Sequence, residues 1–160
     1  MLESINNSVR NLGLTLIIKA HPNENHLSLI KLVEKIDKNI PIYYYDNIFD
    51  IFLISDLVCM FNSEAAQLAM LLKIPVLSLL PNNLVEIYDS HWQYYSTNAV
   101  AFLELSKNPT RIIKNLIFDD EIRFSQIKNG SLYLNSYSDV TSGPSNNLFF
   151  DIINSKSKLF

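Results

Sequence analysis

The sequence predicts an α/β protein built on an open parallel, Rossmann-like sheet with helices on both faces. Three observations carry that prediction. Short β-rich runs alternate with helix-period segments from residue 14 to residue 118, the βαβα order that makes a parallel sheet. Those runs are apolar at nearly every position, as strands covered on both faces are. The chain has 160 residues, 48% of them hydrophobic and only 18% charged, which suits one domain burying ~70% of its unfolded surface.

Leu2, Ile5, Val9 and Leu12 recur at helical spacing, and Gly13 supplies a C-terminal stop. Leu14–Ala20 is a near-continuous β-rich run, broken by His21-Pro22-Asn23-Glu24-Asn25. Leu27, Ile30, Leu32, Val33 and Ile36 predict a helix. Pro41–Tyr45 reads as a strand with proline at its first residue, where a missing N–H matters least. Asn47–Ser55 predicts a short helix and Asp56–Phe61 a third strand. Asn62-Ser63 is an N-cap pair before the helix formers of Glu64–Leu72. Pro75–Leu80 is a fourth strand, Pro81-Asn82-Asn83 a turn, and residues 84–97 an irregular aromatic segment. Ala99–Phe102 predicts a short fifth strand. Pro109–Phe118 and Ile122–Tyr137 predict helices, the second strained by Gly130. Ser138–Asn147 is a loop, and Leu148–Leu159 a final helix. The chain thus divides into an N-terminal helix, or remnant of a missing segment, over 1–13. A Rossmann-like body follows over 14–137, then a loop and helix over 138–160.

Composition excludes several classes. Net charge is −3, so the strongly basic footprint of a nucleic-acid binder is absent. A single cysteine, Cys59, excludes an internal disulfide or a multi-thiolate zinc site, and inside an apolar strand it reads as an inert core residue. The three glycines, Gly13, Gly130 and Gly143, lie too far apart for a dinucleotide fingerprint or a P-loop. His26 and His91 lack partners at metal-ligand spacing. No apolar stretch reaches ~18 uncharged residues, and Met-Leu-Glu-Ser does not open a signal peptide. The expected location is cytoplasmic, at or near the inner face of the membrane, with membrane association only through a partner.

In open α/β sheets ligands sit outside the carboxyl ends of strands, which selects the loops 21–25 and 62–64. His21 could contact a phosphate or act as a base near its ordinary pKa of ~6.5, or it could simply finish a strand. Pro22 would fix the loop's exit direction. Asn62-Ser63 could bind an anion with helix-start N–H groups, or could be an ordinary cap beside the repelling carboxylate of Glu64. Glu24 and Glu86 could hold a ribose diol or sugar, or lie on solvated surface. Trp92, Tyr94 and Tyr95 could stack on a base or pack internally. No nucleophile elbow or Ser/His/Asp order supports hydrolase chemistry.

The string Ile17-Ile-Lys-Ala-His21-Pro22 resembles the K-x-H-P strand end of bacterial surface or capsular polysaccharide glycosyltransferases with the GT-B fold. Ile54-Ser-Asp-Leu-Val-Cys-Met-Phe-Asn-Ser63 resembles their a-D-l-v-x-x-x-x-S segment. Ala69-Met-Leu-Leu-Lys-Ile-Pro75-Val-Leu resembles their A-l-l-l-g-k-P-v-l segment. Related patterns occur in nucleotide-sugar 2-epimerases, glycerophosphotransferases and bacterial sialyltransferases. The likeness covers residues 14–118, the donor-binding, C-terminal half of such an enzyme.

What the resemblance implies is a nucleotide-sugar donor site, with His21, Pro22, Asn62 and Ser63 at the donor phosphates and no metal or other cofactor. Glycosyl transfer would proceed with the departing phosphate stabilised by helix-end N–H groups. The chain departs from the pattern at Leu68, where relatives carry a ribose-holding glutamate, at Lys73 in place of glycine, and at Glu64 in place of a small residue. A different donor such as a CMP-sugar, or a decayed site, would account for these. The resemblance also implies two Rossmann halves with the catalytic base on the other one, and a donor half that starts one strand earlier than β-rich run 14–20. The expected partners are a nucleotide sugar and an N-terminal Rossmann domain or a second copy. Alone, the chain is expected to bind a donor weakly and catalyse nothing. The alternatives are a nucleotide-sugar 2-epimerase-like half and a non-catalytic scaffold.

Overall fold

The computed structural model describes residues 1–61 and 63–140, the side chains of 91, 92 and 137–140 excepted. Asn62 and the expected helix Leu148–Leu159 lie outside the described residues. The fold is α/β and Rossmann-like, with parallel strands and helices on both sides of them.

Helix α1 spans Leu2–Asn11. Gly13 follows at φ +72°, the left-handed conformation that glycine adopts without a Cβ clash. Ile5 and Val9, one turn apart, bury one face. The buried Ser8 hydroxyl donates to the Ser4 carbonyl at 2.8 Å or shares a 2.7 Å bond with the Thr110 hydroxyl, tying α1 to helix α6, Thr110–Phe118.

The expected strand over 14–20 forms a ladder only at Ile18–Lys19 (β1), which pairs in parallel with Ile42–Tyr43 (β2). A ladder needs a partner. β2 begins after Pro41, which accepts from Ile18 but has no N–H to give. Between β1 and β2 runs α2, His26–Glu34, capped by the Asn25 side chain on the Ser28 N–H at 3.0 Å. Helix α3, Ile48–Leu53, is capped in the same way by Asn47 on the Phe49 N–H at 2.9 Å.

The remaining strands, Val58–Met60 (β3), Val76–Leu80 (β4) and Ala101–Glu104 (β5), form a second parallel sheet of order β3-β4-β5. The single sheet expected from the alternating pattern is therefore two, 2-1 and 3-4-5, because β1 and β3 do not pair. Helix α4, Ala65–Leu71, joins β3 to β4. Its cap position is Glu64, which makes no side-chain cap bond; the start of the helix is bonded instead by Ser63, whose hydroxyl accepts the Ala65 N–H at 3.1 Å.

Helix α5, Asn82–Trp92, corrects the expected turn and irregular segment. Pro81 precedes it in extended conformation, a compatible lead-in for a helix, and the density of aromatic residues concealed the helical period. It ends at Gln93, φ +52°. The Asp89 carboxylate then accepts from the Tyr95 N–H at 2.8 Å and the Ser96 N–H at 3.1 Å, turning the chain toward β5.

Helix α7, Asp120–Val140, is longer at both ends than its apolar period suggested. Gly130 does not strain it. A Cβ at that position would sit 3.1 Å from Met70 Cγ, so glycine is what lets α7 approach α4. β4 distributes its side chains by the two-residue strand period. Val76 joins Ala66, Ala69, Met70, Tyr133 and Leu134 on the α4–α7 face. Leu77 and Leu79 join Ile5, Val9, Ile113 and Leu116 on the α1–α6 face. Among the described residues no helix is long and apolar enough to cross a membrane.

Candidate functional site

The gap between β1 and β3 is a cleft of ≈ 740 Å³, walled by Leu14–Lys19 on one side and by Leu57, Cys59, Met60 and Phe61 on the other. Its floor comes from α1 and α6, through Ile5, Val9 and Ile113.

Each wall leads into one of the two loops singled out above. Lys19 lines the cleft, and its ammonium donates to the carbonyls of Ala20 and Tyr44, both at 2.9 Å, fastening the ends of β1 and β2 together. Two residues on, the exposed His21 accepts the Asn23 N–H on Nδ1 at 3.1 Å. Nδ1 as acceptor puts the neutral ring's proton on Nε2, which makes His21 a donor at that nitrogen. The Glu24 N–H donates to the His21 carbonyl at 2.9 Å and closes the turn, with Pro22 and Glu24 both exposed.

On the opposite wall, Phe61 is held from behind. The buried Ser78 hydroxyl is in short contact with the Phe61 carbonyl and lies 2.9 Å from the Tyr95 hydroxyl. Burial raises the Tyr95 phenol, and its bond to Ser78 partly offsets this. Ser63 follows two residues later, exposed, its hydroxyl oxygen accepting the Ala65 N–H at 3.1 Å. The hydroxyl keeps its own proton to donate. At the end of α4, Lys73 takes φ +59°, the left-handed conformation that favours glycine.

The other predicted residues are elsewhere. Glu86 is exposed on α5, on a helical turn rather than a loop, and is not part of the cleft. Tyr94 is fully buried edge-on to Tyr133, with centroids 5.2 Å apart, and Tyr95 meets Phe102 at 5.8 Å. These two tyrosines pack internally. His26 packs tilted against Tyr44, with ring centroids 4.3 Å apart. Among the described residues no group of three or more His, Cys, Asp or Glu could hold a metal ion. Sequence reasoning missed Lys19 and Ser78. Lys19 had a signal, a lone cation one residue from the end of an apolar run; Ser78 had none, because its partners come from distant segments.

Cys59 corrects another expectation. It is exposed, not packed in the core, and opens into the cleft. Yet the protein around it desolvates the thiolate and pushes the thiol up to about 12. The cleft walls around Cys59 are mostly apolar, and they desolvate the thiolate although the residue itself is exposed. Alkylation of native Cys59 by iodoacetamide should therefore climb about tenfold per pH unit from pH 8 to 11, because the thiolate is the nucleophile. A plateau near pH 9 would show an ordinary, solvated thiol.

Comparison with protein-family models, with curated proteins and with solved structures finds no match for this chain.

Proposed function

We propose that this chain is a donor-binding half of a GT-B-type glycosyltransferase for surface polysaccharide, holding a nucleotide sugar at the mouth of the cleft. One observation carries the reading. The loops bearing His21 and Ser63 leave from opposite walls of a single cleft, two residues beyond its lining residues Lys19 and Phe61. That is the position where open α/β sheets bind ligands.

The chemistry suits a diphosphate. Lys19 brings positive charge, His21 a donor at Nε2 and Ser63 a hydroxyl proton, and charge-assisted bonds of this kind are the strong ones. α4 has only seven residues, so these side chains, rather than a helix dipole, are the main contacts. The same groups would stabilise the phosphate charge that develops on the leaving nucleotide. The base that activates the acceptor would come from a second Rossmann half, so the chain alone binds and does not turn over.

Calorimetric titration of UDP-, CMP- and GDP-sugars tests this. Saturable binding to one of them is expected, weakened about tenfold or more by His21→Ala and by Ser63→Ala, the worth of ~1.5–3 kcal/mol for a bond to a charged group. Silence across the panel would reject the reading. A scaffold with a decayed site is the competing reading, favoured by Glu64, whose carboxylate stands at the start of α4 beside Ser63. Interconversion of a nucleotide sugar by the purified chain would instead select the epimerase-like half.

A further inference from the structure

A second pocket, of ≈ 610 Å³, lies at the amino ends of β3 and β4, the end of those strands opposite the loop that carries Ser63. Asp56 lines it ahead of β3, Lys73 ahead of β4, and Arg123, Phe124 and Lys128 from α7. We propose that this pocket binds a phosphate monoester bearing a ring, with the phosphate on the three cations and the ring against Phe124.

Lys73 is the first support. Its N–H donates to the Met70 carbonyl at 3.0 Å, and the Ile74 N–H donates to the Ala69 carbonyl at 2.9 Å. These are the paired bonds of a Schellman turn, with Lys73 at its left-handed position, φ +59°. The buried Ile74 packs in one cluster with Ala69 and Leu68, the apolar contact that accompanies such a turn. Everything that closes α4 is therefore backbone and Ile74. Glycine would do it without a Cβ clash, whereas lysine is strained there. A cation at a helix end can serve the last carbonyls, but the Lys73 ammonium has no hydrogen-bond or ion-pair partner among the described residues. Strain that the turn does not need, on a side chain lining a pocket, marks a residue kept for binding.

Arg123 is the second support. Its Nη2 donates to the Asp120 carboxylate at 2.7 Å, its Nη1 to the Ile117 carbonyl at 3.4 Å, and its guanidinium lies 5.2 Å from the centroid of the Phe124 ring. The group is thus held in place before a ligand arrives, with N–H donors to spare. Lys128 stands one helical turn from Phe124 on α7, its ammonium also without a partner among the described residues.

Charge and shape select the ligand. Three cations against the one carboxylate of Asp56 line the pocket, in a chain of net charge −3. A phosphate monoester, carrying close to two negative charges at pH 7, balances that excess. Ile74, Pro75 and Ile127 make the wall apolar, and Phe124 is 60% exposed. Apolar walls with a few convergent polar groups are what small-ligand sites of this volume offer.

This inference does not rest on the donor-binding reading, because the two sites lie at opposite ends of β3. The test titrates phenyl phosphate into the 15N-labelled full chain and follows the amide shifts. Saturable shifts are expected at Asp56, Lys73, Ile74 and Lys128, with inorganic phosphate binding more weakly because it lacks the ring. Lys73→Gly is expected to weaken phenyl phosphate about tenfold and to raise the melting temperature by about 2–4 °C as the strain is relieved. Lys128→Gln, at an exposed helix position, should weaken binding without lowering the melting temperature. No saturable shift at Lys73, or unchanged affinity in both variants, would overturn the proposal. So would equal affinity for the two phosphates. A lower melting temperature for Lys73→Gly would do the same by showing that the lysine serves the turn. Shifts confined to His21 and Ser63 would reject this site and support the donor loops instead.

Discussion

Replacing Leu77 with alanine is expected to remove about 3–5 kcal/mol of stability, as deletion of a well-enclosed leucine does when its cavity cannot collapse. Leu77 has no exposed surface. It occupies the central strand of the three-stranded sheet, opposite Cys59 on one side and Ala101 on the other. Its side chain is surrounded by Ile5, Val9, Ile113 and Leu116. The backbone ladders on both flanks hold it in place, so the gap cannot close by a shift of the strand. Domains of this size are stable by about 5–15 kcal/mol, so the loss is a large share of the total. Urea unfolding should show a lower midpoint with an unchanged slope. A loss below about 1 kcal/mol would mean that the α1–α6 face is not a packed core.

Gln126→Leu is expected to cost about 1–3 kcal/mol, although it swaps a buried polar side chain for an apolar one of similar size. Gln126 is 7% exposed. Its Nε2 donates to the Val76 carbonyl at 2.7 Å, and its Oε1 accepts the Val76 N–H at 3.2 Å. One side chain thereby satisfies both main-chain groups at the first residue of β4. Leucine would leave the Val76 N–H without its partner inside the protein, at about 1–3 kcal/mol, while the carbonyl keeps the β4–β5 ladder beside Ala101. Amide exchange at Val76 measures this directly: it should accelerate more than global unfolding alone accounts for. Unchanged exchange and unchanged stability would show that water replaces the glutamine at no cost.

The elements that could be read from the chain are those whose signals are local. α1 has its period and its glycine, α2 and α3 their asparagine caps, and β4 a run apolar but for Ser78 with proline in front. Each is specified within about ten neighbouring residues. What could not be read depends on meetings between distant segments. β1 shrank to two residues because its extent depends on Pro41, more than twenty positions away, and on an edge with which no other described strand pairs. Gln126 looked like one more polar residue on a helix, because Val76 is fifty residues earlier. Cys59 sits in a strand that reads as fully covered, and only the split between the sheets exposes it. The loops of His21 and Ser63 were legible as strand ends, whereas the shared cleft beneath them, with Lys19 on its wall, was a property of the assembled fold.

The notch at Gly130 also acts as an index mark. With no side chain there, α7 can rest on Met70 at only one height. Gln126 lies one helical turn earlier, so that height is also the one at which it meets Val76. A residue inserted between 126 and 130 would rotate one of the two contacts by about 100° off its target. Substitution at 130 would call for a compensating loss of bulk at 70, making the pair a single unit of inheritance.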